Sequence, residues 1–218
     1  MSVLAIIPAR GGSKEIPNKN MINVKGKKLI EFTLIEANKS KMIDKICVSS
    51  DSKKILNFSK KFNVEIIKRP KSFSESKSKT FDAVKHVLKY YKKKNYVPKY
   101  VIILQPTSIF RKQKHIDESL KKLLDDEKAD SLVSCYKLSH NLVPEKIMKI
   151  NKSKYLDFKK KIILRQSIKT YYARNGAIYI FDNLKIKNNI FGNKVIPYFM
   201  DKKSSFDIDD FQDLEIVK

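Results

Sequence analysis

Short apolar runs alternate with amphipathic segments along most of the chain. Consecutive apolar residues are typical of strands buried on both faces, and apolar residues three or four apart are typical of the helices that cover them. The pattern predicts strands at residues 3–8, 45–49, 64–68, 100–104, 130–135 and 176–181, and helices at 29–38, 52–62, 80–93, 112–125 and 210–217. This alternation indicates an α/β fold with a mostly parallel sheet flanked by helices, in which ligands bind at the carboxyl ends of the strands.

The alternation breaks down between about residues 136 and 174. This stretch contains short mixed pieces without enrichment in Gly, Ser or Pro, so we interpret it as an excursion from the main sheet and not as a linker. The length of 218 residues and the absence of a sequence repeat predict a single domain over residues 1–218.

The apolar runs are too short for a membrane span. None approaches the roughly 20 residues that cross a bilayer, and the N-terminal run ends at Pro8, too early for a signal peptide. Cys47 and Cys135 lie in strand-like apolar runs and are expected to be reduced core thiols. These features lead us to expect a soluble cytoplasmic protein without a membrane partner.

The chain is strongly basic, with 47 Lys and Arg against 23 Asp and Glu and a formal net charge of +24. Such an excess is typical of nucleic-acid-binding proteins, because neutralised phosphates supply most non-specific affinity. Here 42 of the basic residues are Lys, spread over nearly every segment, which favours solvated surfaces over one nucleic-acid-binding face. The five Arg stand out, since a guanidinium group offers a planar fork for carboxylate or phosphate.

A basic, glycine-containing segment at residues 8–20 follows the first predicted strand. Gly11 and Gly12 allow backbone N–H groups to approach an anion closely, and the basic side chains supply countercharge. The spacing is neither that of a P-loop nor that of a dinucleotide fingerprint. The segment therefore predicts a polyphosphate cradle of another kind, with a basic surface turn as the alternative.

Polar side chains also follow the next three predicted strands, at the same edge of the sheet. Asp51 follows the second strand, Arg69 the third, and Gln105 and Arg111 the fourth. Gln105 can donate and accept hydrogen bonds, as a polyhydroxylated or amidated ligand requires. Two simpler interpretations stay open: Ser50 and Asp51 cap the following helix, and Arg111 pairs with a carboxylate.

Two acidic residues near the C-terminus, Asp207 and Asp209, are separated by Ile208. Residues two apart in an extended segment share a face, so the carboxylates point the same way while Ile208 points into the core. Two carboxylates, phosphate oxygens and water are the usual ligands of Mg²⁺. The alternative is that these acids only cap a final helix. A phosphate loop and an acidic metal pair together favour phosphoryl chemistry on a nucleotide.

The order of these motifs resembles the acylneuraminate cytidylyltransferases, also called CMP-sialic acid synthetases. The matching segments are residues 7–14, 16–17, 19–20, 69–70, 105–108, 175–179 and 207–209, over essentially the whole chain. The resemblance implies a Rossmann-like nucleotidyltransferase domain, a homodimer formed through the excursion, and dependence on Mg²⁺. It implies a reaction of CTP with a nine-carbon 2-keto acid sugar, a nonulosonic acid, to give the CMP-sugar and pyrophosphate.

The resemblance also implies roles for individual residues. It implies nucleotide contacts at Ala9, Arg10, Gly11, Gly12, Ser13, Lys14, Lys19, Asn20, Arg69 and Thr80, and metal contacts at Asp207 and Asp209. It implies sugar contacts at Gln105, Lys146, Arg165, Asn175, Tyr179 and Phe191, with Arg165 on the sugar carboxylate. Asp209, Arg10 and Lys19 are expected to be catalytic, Asp209 by accepting the proton of the anomeric hydroxyl. Whether Lys146 and Arg165 act within one subunit or across two stays open.

One departure from the family pattern is at residues 173–174, where Ala-Arg stands in place of Arg-Pro; Arg174 is still expected at the sugar side, but the identity of the sugar is left open. Activation of a legionaminic, pseudaminic or eight-carbon keto acid is therefore an alternative. A basic protein that binds nucleic acid or another polyanion is an alternative of a different class. It explains the charge but neither the acidic pair nor the glycines after the first strand, so we expect no nucleic-acid partner.

Overall fold

The computed structural model describes residues 1–13, 15–70, 73, 80–144, 146–157, 169–186 and 189–217. Its strands are β1 (Val3–Pro8), β2 (Asn23–Val24), β3 (Lys27–Lys28), β4 (Lys45–Ser50), β5 (Glu65–Lys68), β6 (Tyr100–Ile103), β7 (Ser131–Lys137), β8 (Lys149–Ile150), β9 (Leu156–Asp157), β10 (Tyr172–Asp182) and β11 (Val195–Phe199). Its helices are α1 (Leu29–Lys39), α2 (Lys53–Ser59), α3 (Thr80–Lys93), α4 (Gln113–Leu124) and α5 (Phe211–Val217). Short 3₁₀ turns lie at Lys19–Met21 and Lys60–Phe62.

Seven of these strands form one sheet in the order β11-β7-β10-β6-β1-β4-β5. β10 runs antiparallel to both of its neighbours, and the other pairs in the sheet are parallel. The short strands form two separate hairpins, β2 with β3 and β8 with β9. The mostly parallel sheet predicted from the alternation is confirmed.

Helices cover both faces of the sheet because its central strand is apolar on both. In β1, Val3, Ala5 and Ile7 pack in a cluster with residues of α1, α2 and α4, whereas Leu4 and Ile6 pack in a second cluster with residues of α3. All five side chains are fully buried. A continuous apolar run is what a parallel strand between two helical layers requires.

The carboxyl ends of the central strands lie side by side at one edge of the sheet. In the register of the sheet, Pro8 of β1 pairs with Ser49 of β4, and Ser49 pairs with Ile67 of β5. On the other side of β1, Ile6 pairs with Ile103 of β6. The loops that follow these four strands are therefore neighbours, at the edge where this class of fold binds ligands.

The short strands β2, β3, β8 and β9 are absent from the prediction, and two strands of the seven-stranded sheet differ from it by more than two residues. β10 begins at Tyr172, earlier than the predicted residue 176. β11 is absent from the prediction; it lies at the sheet edge and contains Pro197, which cannot donate a ladder hydrogen bond and is tolerated only where one side of a strand is free. A proline within an apolar run argues against a strand unless the strand is at an edge, and the sequence alone does not locate the edge.

A β-bulge interrupts β10 next to Gly176. The register of β10 against β7 shifts between Arg174 and Tyr179, and Gly176 has a φ of +75°, in the left-handed region. In a regular strand residues 174 and 179 would face opposite sides of the sheet, because the difference between their positions is odd. The bulge therefore changes which side chains this strand presents at the edge.

The stretch between β7 and β10 leaves the main sheet. It contains the β8–β9 hairpin, whose residues are all exposed. Large apolar side chains of this stretch, including Leu142, Ile150, Tyr155 and Leu156, expose more than half of their surface. None of the described helices is long and apolar enough to cross a membrane.

Candidate active site

The loop after β1, here called the phosphate loop (residues 9–20), is fixed by contacts with the loop after β4. The Gly11 N–H donates to Asp51 Oδ1 at 2.8 Å, and Asn20 Nδ2 donates to the Arg10 carbonyl at 2.9 Å. A Cβ at Gly11 would lie 2.8 Å from Ser52 Cβ, closer than real Cβ atoms approach. Glycine is thus required here to let two loops touch.

The rest of the phosphate loop is partly accessible. Ala9 is buried, and its N–H donates to the Ser49 carbonyl at 3.0 Å. Gly12 is exposed and Ser13 is half-buried, so both can be reached by an anion. The predicted contact Lys14 lies outside the described residues.

Asp51 links the phosphate loop to Arg69. The same carboxylate oxygen that accepts the Gly11 N–H lies 4.0 Å from Arg69 Nη2. Arg69 is 6% exposed, and its Nε and Nη2 have no hydrogen-bond partner among the described residues. Burial lowers the pKa of Arg69, the charge of Asp51 opposes this shift, and the charge of Arg10 adds to it. A buried guanidinium with unused donors is a group that a polar ligand would satisfy.

The cap of α2 is Ser52, whose Oγ accepts the Ile55 N–H at 3.5 Å. The interpretation of Asp51 as only a helix cap is therefore not supported, since its carboxylate holds the phosphate loop. Thr80, the predicted cytidine contact, is the first residue of α3. Residues 74–79, which precede it, lie outside the described part of the chain.

The acidic pair, Asp207 and Asp209, lies on an extended segment before α5. Asp207 Oδ1 accepts a hydrogen bond from Ser108 Oγ at 3.0 Å. Burial raises the pKa of Asp207, hydrogen bonds from Thr107 and Ser108 oppose this rise, and the charge of Asp209 adds to it. Ile208 is fully buried, as the alternation predicts. The two acids therefore differ: one is largely enclosed, and the other has a side chain that is 78% exposed.

Lys19 joins the phosphate loop to the acidic pair. Its Nζ lies 2.8 Å from the Ile208 carbonyl oxygen, 3.1 Å from that of Asp209 and 3.3 Å from Asp209 Oδ1. The final helix is capped by other acids, because Asp210 Oδ1 accepts the Asp213 N–H at 2.9 Å and Asp213 Oδ2 accepts the Asp210 N–H at 3.2 Å. The helix-cap interpretation of the acidic pair is thus not needed.

A cavity of about 560 Å³ borders the acidic pair. Its lining residues are Tyr136, Arg174, Asn175, Gly176, Tyr179, Lys202, Ser205, Phe206, Asp207, Asp209 and Asp213. Tyr179 meets the Phe191 ring edge-on with centroids 5.9 Å apart, and the Arg174 guanidinium lies 5.2 Å from the centre of that ring. Burial raises the pKa of Tyr179, so its hydroxyl stays neutral and able to donate. Two predicted sugar-side residues are thus brought together, with Arg174 beside them.

Gln105 lies at the junction of the acidic pair and the bulge. A Cβ at Gly176 would lie 3.0 Å from Gln105 Oε1 and 3.9 Å from Asp207 Oδ2. The absence of a side chain at residue 176 therefore allows the Gln105 amide and the Asp207 carboxylate to approach the same stretch of backbone. This places the predicted sugar contact Gln105 next to the predicted metal ligand.

The remaining predicted sugar contacts are Asn175, Lys146 and Arg165. Asn175 is buried, its Oδ1 accepts from Ser134 Oγ at 2.6 Å, and its Nδ2 donates to Ser205 Oγ at 2.8 Å. These bonds favour a positioning role for its amide over a direct sugar contact. Lys146 is exposed on the excursion and is not among the cavity-lining residues. Arg165 lies outside the described residues.

The structure gives positions to Arg174 and Arg111 that the sequence leaves open. Arg174 lines the cavity because of the bulge in β10. Arg111 is 1% exposed and has no ion pair with a carboxylate among the described residues, so the simple pairing interpretation is not supported. It donates to the Gln105 and Ala177 carbonyls instead. In a chain that otherwise uses Lys, the choice of Arg was the available sequence signal for both.

The comparison with known families agrees with this site. The chain matches the family model described as cytidylyltransferase over residues 4–216. It belongs to the cytidylyltransferase family. The predicted family resemblance and the nucleotidyltransferase class are thereby confirmed.

Several curated relatives of this cytidylyltransferase have sugar-activating names. It is 33% identical to an N-acylneuraminate cytidylyltransferase from Escherichia coli O18:K1:H7, over 99% of this chain and 51% of the relative. It is 31% identical to a CMP-N,N'-diacetyllegionaminic acid synthase from Legionella pneumophila, over 96% of this chain and 91% of the relative. It is 27% identical to a pseudaminic acid cytidylyltransferase from Campylobacter jejuni, over 100% of this chain and 95% of the relative.

The relatives differ from this chain in length, and a solved structure shares its fold. The chain spans about half the length of the Escherichia coli and Streptococcus agalactiae N-acylneuraminate cytidylyltransferases that it matches. Among solved structures, a CMP:2-keto-3-deoxy-manno-octonic acid synthetase complexed with CTP superposes with a TM-score of 0.71 at 15% identity, over 100% of this chain and 97% of that one. This likeness confirms the predicted Rossmann-like fold.

Proposed function

We propose that this cytidylyltransferase transfers CMP from CTP to the anomeric hydroxyl of a nonulosonic 2-keto acid sugar and releases pyrophosphate. The observation that carries the proposal is the contact made by Lys19, which joins the phosphate loop to the acidic pair at the border of the 560 Å³ cavity. A triphosphate on the loop and a sugar in the cavity would meet at these two carboxylates. The names of the relatives support this substrate class.

The phosphate loop is the proposed site of the CTP triphosphate. Arg10 and Lys19 supply fixed positive charge for the leaving pyrophosphate, and the accessible Gly12 and Ser13 can offer backbone N–H groups to phosphate oxygens. Arg69 has buried donors without partners among the described residues, which suits recognition of the polar edge of cytosine. The nucleotide would thus span from the end of β5 to the acidic pair.

The acidic pair suits Mg²⁺. Asp207 and Asp209 offer hard oxygen ligands on the wall of one cavity, and magnesium ordinarily binds to one or two carboxylates together with substrate phosphates and water. No cluster of three His, Cys, Asp or Glu side chains that could hold a metal occurs among the described residues. When bound, such an ion neutralises charge that develops on the transferred phosphoryl group.

The sugar end of the site supplies the proton acceptor. In the proposed reaction the anomeric oxygen attacks the α-phosphorus of CTP in line, the bond to the β-phosphate oxygen breaks, and Asp209 takes the hydroxyl proton. The exposed carboxylate of Asp209 is held at one oxygen by Lys19, 3.3 Å away, which leaves its other oxygen for this task. The displacement is direct, so no covalent enzyme intermediate is needed.

The sugar itself is proposed only as a class. Tyr179 and Arg174 line the cavity, and the Phe191 ring packs against both of them, which gives an aromatic and cationic wall suited to a sugar that carries both apolar N-acyl groups and a carboxylate. N-acetylneuraminic, legionaminic and pseudaminic acids share these features, and the eight-carbon keto acid lacks the N-acyl group. Binding of nucleic acid has only the net charge of +24 in its favour.

We also propose that the protein is a homodimer in the cytoplasm. The excursion between β7 and β10 carries exposed apolar side chains, such as Ile150 at 72% and Tyr155 at 73% exposure, which a second copy would cover. In such a dimer Lys146 and Arg165 would act at the partner subunit's cavity. Two free cysteines, both buried, suit a reducing compartment that also supplies CTP.

Release of pyrophosphate tests the proposed function. The protein would be incubated with CTP, Mg²⁺ and each of N-acetylneuraminic, legionaminic, pseudaminic and eight-carbon keto acids, with ATP, GTP and UTP as matched controls. We expect release that depends on CTP and is greatest with one nonulosonic acid. Release that is independent of the sugar, or greatest with the eight-carbon acid, would contradict the proposed substrate class.

A further inference from the structure

We propose that Arg111 is a positioning residue that separates β6 from β10 at the mouth of the cavity and thereby sets Gln105 and the Gly176 bulge beside Asp207. The inference rests on the proposed function for its meaning in catalysis, but its structural part can be tested without it. Arg111 stands just before α4 and does not line the cavity. It therefore acts through the groups that it holds.

The contacts of Arg111 bridge the two strands. Nη1 donates to the Gln105 carbonyl at 2.9 Å and to the Ala177 carbonyl at 2.7 Å, and Nη2 donates to Thr33 Oγ1 on α1. Thr33 Oγ1 is in turn 3.4 Å from the Gln105 carbonyl. One planar guanidinium group thus connects a loop, a strand and a helix, which a lysine ammonium group cannot match in geometry.

The contacts of Arg111 lie where β6 and β10 stop pairing. The antiparallel ladder of β10 with β6 ends at the pair Tyr179 and Ile103. If the same register continued, Ala177 would lie opposite Gln105. These are the two residues whose carbonyls Arg111 bridges, so its guanidinium stands where the ladder would continue, two residues beyond its last pair. The strands diverge there, and the bulge residues beyond this point line the cavity.

Burying a charged side chain opposes folding unless it is paired and hydrogen-bonded, and Arg111 is only partly so among the described residues. The side chain is 1% exposed, has no ion pair among the described residues, and its Nε has no hydrogen-bond partner there. Burial lowers the pKa of Arg111 to about 10, while the charges of Asp207 and Glu36 favour the protonated form, so it is a cation at neutral pH. An apolar side chain often fills such a position at no loss of stability, which indicates that Arg111 is used for placement.

The alternative is that Arg111 only stabilises the fold. The two interpretations differ in what a substitution does at the two ends of the site. The phosphate loop is held by Asp51 and Asn20, neither of which contacts Arg111. Loss of placement would therefore affect the sugar end and spare CTP binding, whereas general destabilisation would affect both in proportion to the loss of thermal stability.

The test compares Arg111→Met and Arg111→Lys with Leu120→Ala, a substitution of a fully buried core residue on helix α4, which begins just after Arg111. The kinetics and CTP affinity of each variant are measured with the best sugar. We expect Arg111→Met to lose about 10²-fold in kcat/KM for the sugar, as misplacement by about 1 Å can cause, with CTP affinity within about twofold of wild type. Arg111→Lys should fall between Met and wild type.

Hydrogen exchange tests the structural part of the proposal and does not require that the protein turns over a sugar. In Arg111→Met we expect faster amide exchange at residues 104–108 and 174–178, with exchange at residues 9–13 and 50–52 unchanged; Leu120→Ala should not show this pattern. The proposal is overturned if exchange and sugar kinetics match wild type, or if CTP affinity, sugar kinetics and melting temperature all fall together as in Leu120→Ala. If wild type itself turns over no sugar, the proposed function fails while hydrogen exchange still decides the role of Arg111.

Discussion

The ammonium group of Lys19 lies 2.8 Å from the backbone carbonyl oxygen of Ile208, a residue that is fully buried. This contact fastens the phosphate loop near the start of the chain to the acidic segment near its end. Because the carbonyl belongs to a core residue, the ammonium group has a fixed location and its charge is preorganised. Preorganised charge at a site of phosphoryl transfer is among the largest contributions to catalysis.

Replacement of this ammonium group should therefore lower the rate of the reaction. We expect Lys19→Met to reduce kcat by about 10²-fold or more at saturating CTP and sugar. The matched control is Lys122→Met, which removes a lysine bond of 2.8 Å to the Pro197 carbonyl away from the cavity and should leave kcat unchanged. Steady-state kinetics of both variants give the answer, and equal kcat values for the two would contradict the role of Lys19.

The two neighbouring acids before α5 should behave differently. Asp209→Asn removes the proposed proton acceptor and metal ligand, so turnover should fall by about 10²- to 10³-fold with the melting temperature little changed. Asp210→Asn keeps a good capping side chain for α5 and should retain turnover. Turnover is measured over a range of Mg²⁺ concentrations. Near-normal activity of Asp209→Asn at saturating Mg²⁺ is the result that the account does not allow.

Substitution of the two adjacent glycines of the phosphate loop should affect the stability of the protein to different degrees. Gly11→Ala places a Cβ 2.8 Å from Ser52 Cβ, so the loop must move away from Asp51, and both thermal stability and CTP affinity should fall. Gly12→Ala has no atom within 4 Å of the added Cβ and should melt with wild type. Differential scanning calorimetry and CTP titration check the pair. Wild-type CTP affinity in Gly11→Ala would show that the contact with the loop after β4 is dispensable.

A pH dependence of stability is expected from Glu65, which joins β5 to α3. Burial raises the pKa of Glu65, but hydrogen bonds from Lys94 and Tyr90 outweigh this effect and hold the pKa below its ordinary value of 4.5. A carboxyl group of lowered pKa stabilises the fold fully above its ordinary pKa, and this contribution is lost as the pH falls through the lowered value. Glu65→Gln should therefore melt roughly 2–4 °C or less below wild type at pH 7.

The difference between wild type and Glu65→Gln should disappear toward pH 3, because the protonated glutamic acid and the glutamine amide are then alike in charge. Thermal melts across this pH range measure it. A difference that stays constant with pH would assign the effect to packing and not to the charge of Glu65.

The exposed excursion should carry the dimer contact. We expect the double substitution Ile150→Lys and Tyr155→Lys to convert a dimer to a monomer in light scattering and, if Lys146 and Arg165 act across subunits, to weaken sugar kinetics as well. Leu184→Lys, at a residue that is 68% exposed elsewhere on the surface, is the control. A dimer that survives the double substitution would place the interface on another face.

Most of the sheet was predictable because periodicity reports burial. β1 and α3 have the predicted bounds, since every residue of β1 except the last is buried and α3 is apolar along one face. The edge strand β11 was not predictable, because Pro197 argues against a strand unless one knows which strand is at the edge. Local pattern thus identifies the elements, whereas position in the sheet depends on contacts far apart in sequence.

The site was predictable in part for the same reason. Asp207 and Asp209 follow from alternation within one short segment. The resemblance places Arg174 at the sugar side, but its position beside the cavity that Tyr179 also lines depends on the bulge in β10, which the pattern does not predict. The role of Arg111 was not predictable, because two of its three acceptors are backbone carbonyls, one of them on a strand 66 residues away, and a sequence does not show which carbonyl a side chain binds.

Transfer of CMP to the sugar is tested most directly by ³¹P NMR, which follows both products of the reaction with CTP, Mg²⁺ and one nonulosonic acid at a time. We expect pyrophosphate and a new phosphodiester signal to appear in equal amounts and only when the sugar is present, and both to appear about 10²-fold or more slowly with Asp209→Asn. Consumption of CTP without a phosphodiester product, or no consumption with any of the sugars, would contradict it.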